Sequence, residues 1–435
     1  MDVDRLLYHY LIDGIQRNHR HHVGVELECP LVSEQGGAID LSIVQPMFRA
    51  LEPLGFQVTR RASDGSPLAA KDEAGHTLTF DTCYENVEFA SASTPTLWDI
   101  YDRYRAVLAA LQGALKPLRH CLVGVGYNPN IARTQPHNIE SELTLAIAEY
   151  FREHPVNRHF AKDFYCMVSS EQVHFNTTEQ ELPKIFEAFT RLDWLNILLF
   201  SDSPAHIDGQ RYLCARNELY MRSAFRQIGL VGAQQLGPQS AMEIAQTYRD
   251  ISLFMRQRDG HAQVFSPEPV KTYFDRPDAL EEDIHCLDLE RNIVTTSYGT
   301  VEYRILCTQP FDQAFTPSAF NLGLRFQLED ALACARAFDE KYHLPEPNER
   351  NRLASMGVPE FAPREAIHRY ASELLILASE GLKARGYGEE AMLRPLLERE
   401  RLLDSPAAQL VREARVIGAH EALLSRSALG RDFER

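Results

Sequence analysis

Two glutamates, Glu26 and Glu28, lie in an alternating stretch that runs from Val23 to Glu28. Successive side chains of a β-strand point to opposite faces, so the two carboxylates are predicted to share a face opposite Val23, Val25 and Leu27. Neighbouring carboxylates repel each other unless water screens them or a cation lies between them. The stretch therefore predicts either a solvated face or part of a cation site.

Three later stretches repeat this arrangement of an apolar face beneath a polar one. Their apolar positions are Val87 and Phe89, then Val173 and Phe175, then Val301, Tyr303 and Ile305. Their polar positions are Glu88, then Gln172, His174 and Asn176, then Glu302 and Arg304. Any one of these faces is compatible with plain solvation. Taken together they hold carboxylates, amides, a histidine and an arginine but no lysine, which favours a site for hard divalent cations beside a phosphate.

Carboxylates that hold Mg²⁺ without a glycine-rich loop indicate phosphoryl chemistry in which the metal ions bind the phosphates. The sequence has no G-x-x-x-x-G-K-[ST] motif, and no helix with a third glycine follows Gly124 and Gly126, so it lacks both common phosphate-binding fingerprints. Glu302 and Arg304 stand about 6.6 to 7 Å apart along a strand. We therefore expect Arg304 to contact a transferring phosphoryl group and not to pair directly with Glu302.

The elements that must position these strands are mostly helical. Apolar spacing predicts helices over residues 3–17, 41–54, 97–115, 179–200, 317–342 and 363–385. Turn residues at 63–65 and 73–75 predict hairpins. Strands with one aliphatic face, joined by hairpins and helices, indicate an α+β fold in which helices pack on one side of an antiparallel sheet. We predict a core over residues 1–310 and a helical C-terminal region over 311–435 that packs on it as one structural unit.

The composition places this 435-residue chain among ordinary soluble globular proteins. The net charge of −16 argues against a nucleic-acid or anionic-membrane partner. No apolar run approaches the ~20 residues of a membrane span, and Met1–Arg5 lacks the layout of a secretory signal, so we expect a cytoplasmic protein. The eight cysteines show no C-x-x-C pair and are expected to be reduced thiols.

Three further segments have two interpretations each. The histidine-rich stretch 18–22 is interpreted as turn residues, with metal binding as the alternative. The arginines between 211 and 226 form either a solvated face or an anion clamp for phosphate or carboxylate. Residues 257–280 are predicted to be a long loop or a mobile lid.

The four strands, in this order, resemble the glutamate–cysteine ligase family, within the carboxylate–amine ligases related to glutamine synthetase. Val-Gly-Val-Glu-Leu-Glu is similar to the family's opening strand. Phe80-Asp81 through Glu88 resembles its second motif, although this chain reads Glu85-Asn86-Val87-Glu88 where the family has E-P-G-G-Q-x-E. Gln-Val-His-Phe-Asn resembles its Q-V-H strand, and residues 300–304 resemble its T-x-E-x-R strand.

This resemblance implies a funnel-like sheet of about six strands with helices outside, and a ligase that uses ATP and Mg²⁺, with Mn²⁺ as a substitute. Its implied metal ligands are Glu26, Glu28, Asp81, Glu88, His174 and Glu302. Its implied nucleotide-binding residues are His174, Gln172 and Arg304, and its catalytic residues are Glu302 and Arg304. Arg216 and Arg222 stand where the family has substrate-binding arginines.

The implied activity joins the γ-carboxylate of L-glutamate to the amine of L-cysteine through an acyl-phosphate, as in glutathione biosynthesis. The implied partners are therefore small molecules. The alternatives are the same chemistry with another amine or a peptide, a metal-dependent hydrolase, and a degenerate fold that only binds a nucleotide. A ligase needs ATP, an acid and an amine together, whereas a hydrolase turns over without ATP.

Overall fold

The structure of the chain is a computed structural model, which describes residues 2–17, 22–131, 134–139, 141–154, 164–287 and 290–433. Most of the histidine-rich stretch, residues 18–21, lies outside the described residues. All eight cysteines are free thiols. Within the described residues, no helix is both long enough and apolar enough to cross a membrane.

Helices account for most of the regular structure and dominate the C-terminal third. The α-helices are α1 Val3–Arg17, α2 Val44–Leu51, α3 Leu97–Leu115, α4 Glu142–Glu153, α5 Phe164–Met167, α6 Leu182–Phe200, α7 Ala215–Met221, α8 Ala224–Gln227, α9 Ala241–Gln246, α10 Val270–Tyr273, α11 Thr316–Phe326, α12 Leu328–Tyr342, α13 Pro347–Met356, α14 Arg364–Arg385, α15 Arg394–Leu402, α16 Pro406–Ile417 and α17 Ala419–Ser425. Short 3₁₀ segments are Leu41–Ile43, Glu52–Leu54, Lys116–Leu118, Glu281–Cys286 and Glu389–Leu393.

The described strands form one large sheet and three small two-stranded sheets. The strands are β1 Val23–Ser33, β2 Gln57–Arg61, β3 Pro67–Lys71, β4 Thr77–Phe80, β5 Asn86–Ala90, β6 His120–Leu122, β7 Ser170–Asn176, β8 Ala205–Ile207, β9 Gln210–Tyr212, β10 Val231–Gly232, β11 Ser252–Arg258, β12 His261–Pro269, β13 Glu290–Arg291, β14 Ile293–Thr295 and β15 Thr300–Cys307. The large sheet runs β14-β15-β7-β1-β5-β4-β3-β2, and β6 also pairs with β1.

The described pairings within the large sheet are antiparallel, as predicted. Among the residues that the structure describes, this sheet has nine strands and is not closed, so the expectation of about six strands is wrong. The additional strands include the short β6 and β14, whose three-residue lengths give too little alternation to read. The funnel-like curvature and the boundary at residue 310 stay predictions.

One face of the sheet packs on helices. The opposite face, which we call the open face, is therefore free to carry polar groups. The apolar positions Val23, Val25 and Leu27 of β1 are each at most 2% exposed. Helix α6 lies beneath β7 and β15, where the Phe189 ring sits 5.0 Å from the rings of both Phe175 and Tyr303. Burial of these large apolar side chains fixes the register of the strands, because a slip of one residue exposes the whole set.

Helix α11 reinforces the same face through a polar contact. Its first turn carries Ser318, whose backbone N–H and hydroxyl donate to Glu171 Oε1 of β7 at 3.0 and 2.5 Å. A carboxylate at a helix N-terminus accepts the N–H groups that the helix itself leaves free. The C-terminal helical region is therefore bonded directly to a central strand of the sheet.

Most predicted helices are confirmed, but one predicted helix and one predicted loop need correction. The 317–342 segment is two helices, α11 and α12, separated at Gln327, where the backbone leaves the helical region at φ −118° and ψ 37°. Residues 257–280 are not a long loop, because β11 and β12 form a hairpin around Asp259 and Gly260, which both have positive φ. Asp-Gly is a typical hairpin turn, and the sequence interpretation overlooked it.

Candidate active site

The strand register brings the four predicted polar stretches together on the open face of the sheet. Glu302 of β15 pairs with His174 of β7, and Gln172 of β7 pairs with Glu26 of β1. Glu28 of β1 then pairs with Glu88 of β5. These six residues occupy four adjacent strands, so their closeness follows from hydrogen-bonded pairing and does not depend on loops.

Glu26, His174 and Glu302 converge tightly enough to hold one metal ion. One ligand atom from each lies within 4.8 Å of the other two. Within the described residues, this is the only group of three or more His, Cys, Asp or Glu side chains that meets that condition. His174 Nε2 is 3.2 Å from Glu26 Oε1, and Nδ1 is held by Thr300 Oγ1 at 3.2 Å.

His174 Nε2 supplies the test of whether these residues fit a cation. The atom is buried and has no partner with hydrogen-bond geometry, although a carboxylate oxygen lies at ion-pair distance. An ion pair without hydrogen-bond geometry leaves this buried atom only partly satisfied, whereas a metal ion uses its lone pair and both carboxylates. The three residues therefore fit a divalent cation such as Mg²⁺ or Mn²⁺.

The charges of this group are mutually dependent. Burial by itself lowers the pKa of His174, but Glu26 and Glu302 outweigh it, so the pKa is raised. Burial raises the pKa of Glu26, but His174 and Arg304 bring it below its usual value. Burial raises the pKa of Glu302, and Arg304 and His174 offset this only in part. With Glu290, which pairs with Arg304, three carboxylates thus surround one histidine and one arginine.

Arg304 lies against this group, and its position corrects a prediction. Its Nη1 donates to Glu302 Oε1 and to Gln172 Oε1, the latter at 2.9 Å, and its Nη2 donates to Glu290 Oε2 at 2.7 Å. The expectation that Arg304 does not pair with Glu302 is therefore wrong. The long arginine side chain folds back along the strand face and spans the distance between positions two residues apart. Its Nε is buried and has no hydrogen-bond partner.

Glu28 differs from the other carboxylates because donors of the protein surround it. Its Oε2 accepts from Ser170 N at 2.9 Å and Asn86 Nδ2 at 3.1 Å. Its Oε1 accepts from Ser170 Oγ at 2.6 Å and Gln172 Nε2 at 3.2 Å. Gln172 therefore bridges Glu28 to Arg304 with the two ends of its amide.

Asp81 and Glu88 extend the acidic surface along β4 and β5. Asp81 lies just beyond β4 and presents surface to a cavity, yet surrounding protein and the charges of Glu28 and Glu290 raise its pKa to about 8. Burial and the neighbouring carboxylates, Glu26 first among them, raise the pKa of Glu88 well above its usual range. Such groups stay protonated at neutral pH unless a cation replaces the proton.

Two cavities meet at Glu26, Glu290 and Arg304, which line both. The larger, of about 660 Å³, contains His174 and Glu302. The smaller, of about 210 Å³, contains the remaining acidic residues and an aromatic wall: Glu28, Asp81, Glu88, Phe164, Tyr165, Tyr220 and Phe225. Glu26, Glu290 and Arg304 thus form a charged ridge between the two cavities. The cavities provide room for one substrate on each side of this ridge.

The two arginines predicted to bind substrate have different surroundings. Arg216 is 5% exposed, its Nε has no hydrogen-bond partner, and its guanidinium lies 5.1 Å from the centre of the Tyr220 ring. No described carboxylate lies at ion-pair distance from it. Arg222 instead pairs with the buried Glu218 and with the exposed Asp208. The roles of both residues stay predictions.

Sequence reasoning did not identify Glu290, Asn86 or Tyr220 as part of the site. Glu290 belongs to the two-residue strand β13, which is too short to show alternation. Asn86 lies in a stretch that was predicted to be a strand, but the hydrogen bond from its side-chain amide to Glu28 depends on the β1–β5 register. Tyr220 lies on α7 in the arginine-rich segment, and only the tertiary fold brings it to the cavity.

Comparison with known proteins identifies the fold. No family model matches this sequence, and no curated protein gives a significant match. The structure is similar to that of a bifunctional glutathione synthetase from Pasteurella multocida, with a TM-score of 0.54 and 12% identity, over 98% of this chain and 52% of that chain. The chain therefore shares its fold with about half of that protein.

Two further solved structures align less closely. One is a glutamate–cysteine ligase from Francisella tularensis in complex with AMP, with a TM-score of 0.49, 12% identity, and coverage of 94% of this chain and 87% of that chain. The other is the Pup ligase PafA in complex with Pup, with a TM-score of 0.37, 12% identity, and coverage of 94% and 79%. At these identities the likeness concerns the fold, and membership of the glutamate–cysteine ligase family stays a prediction.

Proposed function

We propose that the chain is an ATP-dependent carboxylate–amine ligase that forms an acyl-phosphate from the γ-carboxylate of L-glutamate and transfers the acyl group to the amine of L-cysteine. The observation that carries the proposal is the convergence of Glu26, His174 and Glu302 beside Arg304 on the open face of an antiparallel sheet. The fold shared with half of a bifunctional glutathione synthetase supports it. The four motifs that resemble glutamate–cysteine ligases lie on the strands that build this site.

Glu26, His174 and Glu302 would hold one Mg²⁺ ion, and Asp81, Glu88 and Glu28 are the proposed ligands for further metal ions. Bound Mg²⁺ supplies neutralisation of the triphosphate charge and orientation of its γ-phosphoryl group. Glu28 is the least available of these ligands, because four protein donors already use its lone pairs. Its main effect is to fix Gln172 and, through it, Arg304.

Arg304 is the proposed contact of the transferring phosphoryl group. Glu290, Glu302 and Gln172 hold its guanidinium in place, so it reaches the substrate already oriented. The strong field of Glu290 and Glu302 raises its pKa well above the usual value despite burial, and it therefore stays charged. A preorganised cation that meets charge developing on the phosphoryl oxygens stabilises the transition state more than the ground state.

The two chemical steps use the two cavities on either side of this arginine. In the first step a γ-carboxylate oxygen of glutamate attacks the γ-phosphorus of ATP, the bond to the β,γ-bridging oxygen breaks, and ADP leaves. In the second step the amine nitrogen attacks the acyl carbon, the carbon–oxygen bond to phosphate breaks, and the nitrogen loses a proton to give the amide. Glu26, Glu290 and Arg304 line both cavities, which supports this assignment of one substrate to each cavity.

Arg216 is the proposed partner of a substrate carboxylate. It is nearly buried, has no described carboxylate at ion-pair distance, and stacks on Tyr220, which lines the smaller cavity. A buried guanidinium without an anion is costly, and a bidentate carboxylate of an amino acid satisfies it. Arg222 is a weaker candidate, because its guanidinium already pairs with two acidic side chains.

The experiment that tests the proposal is a substrate panel with ATP and Mg²⁺. Each amino acid is supplied as the acid and each amine as the acceptor, and both ADP release and product mass are measured. We expect ADP and the amide in equal amounts only when acid, amine and ATP are all present, with glutamate and cysteine as the best pair. Another preferred amine or peptide changes the substrate but keeps the ligase class.

Two controls make the result interpretable. Glu302→Gln removes one proposed ligand and should abolish the coupled reaction, whereas Glu380→Gln makes the same change on the exposed surface of α14 and should not. Substrate hydrolysis without ATP indicates a metal-dependent hydrolase instead. Nucleotide binding with no ATP-dependent amide from any pair would reject the ligase assignment.

A further inference from the structure

A third cavity, of about 500 Å³, lies in the C-terminal helical region, away from the sheet face that carries the candidate active site. The loop before α11, helices α14, α15 and α16, and the C-terminal segment enclose it. Its charged and polar lining includes Asp312, Glu390, Arg399, Gln409, Arg431 and Asp432. Cavities of this size are typical of small-molecule sites.

Arg399 lines this cavity, and it is unusual because a charged residue is rarely as buried as 1% exposure. Its Nη1 donates to Gln309 Oε1 at 2.7 Å and to the carbonyl of Leu199 at 3.3 Å. Its Nε and Nη2 have no hydrogen-bond partner. Burial outweighs the nearby Asp202 and Glu171 and lowers the pKa of Arg399 to about 10, which indicates that its charge is incompletely compensated.

Glu390 is a second incompletely satisfied group in the same cavity. Its Oε2 is buried and has no hydrogen-bond partner. Asp432, another acid of the lining, is already used, since it pairs with Arg105 at 2.7 Å and accepts from the Tyr101 hydroxyl at 2.9 Å. Arg399 and Glu390 thus both line the cavity, and each keeps polar atoms that are buried in its wall without a hydrogen-bond partner; the Arg399 guanidinium also lies 5.1 Å from the centre of the Phe200 ring.

We propose that this cavity is a second binding site, for a free α-amino acid, with the ligand carboxylate on Arg399 and the ligand ammonium on Glu390. The lining holds three arginines and three carboxylates, so its charge is balanced and suits a zwitterion better than a phosphate or a polyamine. A zwitterion satisfies both unpartnered groups at once, whereas an anion or a cation satisfies only one.

The site is separate from the candidate active site but connected to it through the fold. Arg399 bonds Gln309, which follows β15, the strand that carries Glu302 and Arg304. Gln309 in turn donates to the Cys307 carbonyl at the end of that strand. A ligand that binds Arg399 is therefore linked, through the hydrogen bonds of Gln309, to the end of β15. The proposal does not depend on the ligase assignment.

The test is calorimetric titration of the full-length protein with the twenty amino acids, and with acetate, methylamine and inorganic phosphate as probes. We expect at least one amino acid to bind, with acetate and methylamine at least about tenfold weaker because each meets one of the two groups. Ser379→Phe fills the cavity from α14 and should abolish this binding. Glu390→Gln should weaken it about tenfold, since the ammonium loses a charged acceptor.

Two further variants separate this site from the first. Glu302→Gln, in the candidate active site, and Glu380→Gln, on the exposed face of α14, should leave the binding unchanged. Binding that is lost in Glu302→Gln but kept in Ser379→Phe belongs to the first site and overturns the proposal. Inorganic phosphate binding as tightly as an amino acid, or no amino acid binding at all, also overturns it. If Ser379→Phe does not fold, Glu390→Gln decides, because unchanged affinity in that variant contradicts the assigned ammonium contact.

Discussion

The same substitution, glutamate to glutamine, should lower stability at Glu28 but not at Glu88, although the two residues are paired across β1 and β5. Each oxygen of Glu28 accepts two hydrogen bonds, from Ser170 N and Asn86 Nδ2 on one side and from Ser170 Oγ and Gln172 Nε2 on the other. Whichever way the new amide is turned, its NH₂ group replaces an oxygen that two donors need.

The magnitude at Glu28 follows from those contacts. Hydrogen bonds to a charged group contribute about 1.5 to 3 kcal/mol each, and rotation of the Ser170 hydroxyl recovers part of the loss. We therefore expect Glu28→Gln to lower the free energy of unfolding of the metal-free protein by about 2 to 3 kcal/mol. Glu88 has a pKa well above its usual range because of burial and its acidic neighbours, so a neutral glutamine should leave stability unchanged or raise it.

The assay is urea unfolding at pH 7 with a chelator present, followed by far-UV circular dichroism, on wild type, Glu28→Gln and Glu88→Gln. Glu380→Gln on the exposed face of α14 is the matched control and should change the free energy of unfolding by less than about 0.5 kcal/mol. Equal stabilities for the Glu28 and Glu88 variants would refute the view that Glu28 is a hydrogen-bonded anchor and Glu88 an uncompensated carboxylate.

Three further outcomes are expected. Arg304→Lys keeps the charge but loses the planar guanidinium that Glu290 and Glu302 hold. Steady-state kinetics should therefore show kcat falling by about 100-fold or more, with little change in the KM for ATP. A rise only in the KM for an amino acid would place the residue in substrate binding. Burial raises the pKa of Glu171 to about 8, so the native state keeps a proton that the unfolded state loses above its pKa of 4.5. Stability attributable to Glu171 is therefore present below pH 4.5 and falls as the pH rises to about 8, by up to about 1.4 kcal/mol per pH unit. Urea unfolding across this range should show a shallower slope in Glu171→Gln than in wild type, because other buried acids such as Asp81 keep their own contribution in both. Mg²⁺ should be required for turnover and Mn²⁺ should replace it, whereas excess chelator should stop turnover without unfolding the protein; full activity in chelator contradicts the metal site.

The fold was predictable where side-chain alternation or helical spacing extends over many residues. Helix α3 has the predicted bounds, Leu97–Leu115, because its apolar stripe is continuous and Thr96 caps its first turn by accepting from Asp99 N. The alternation of Val23, Val25 and Leu27 likewise identified the buried face of β1. Strands of two or three residues, such as β13 and β14, carry no such periodicity and were missed.

The site was predictable as a set of residues but not as a set of contacts. Alternation placed Glu26, His174 and Glu302 on one face, yet only the strand order and register show that they converge on each other while Glu28 bonds to protein donors. The prediction that Arg304 does not pair with Glu302 was wrong because the backbone spacing of two residues does not limit how a long, flexible side chain folds back. Glu290, its other acidic partner, is brought in by tertiary structure alone.

Transfer of an oxygen atom from the acid to phosphate tests the acyl-phosphate mechanism most directly. L-Glutamate labelled with ¹⁸O in its γ-carboxylate is incubated with L-cysteine, ATP and Mg²⁺, and the released phosphate and the amide are analysed by mass spectrometry. The ligase mechanism predicts one ¹⁸O atom in each phosphate, in equal amounts with ADP and the amide. Phosphate whose new oxygen comes from solvent water, or amide formed without ADP, would contradict it.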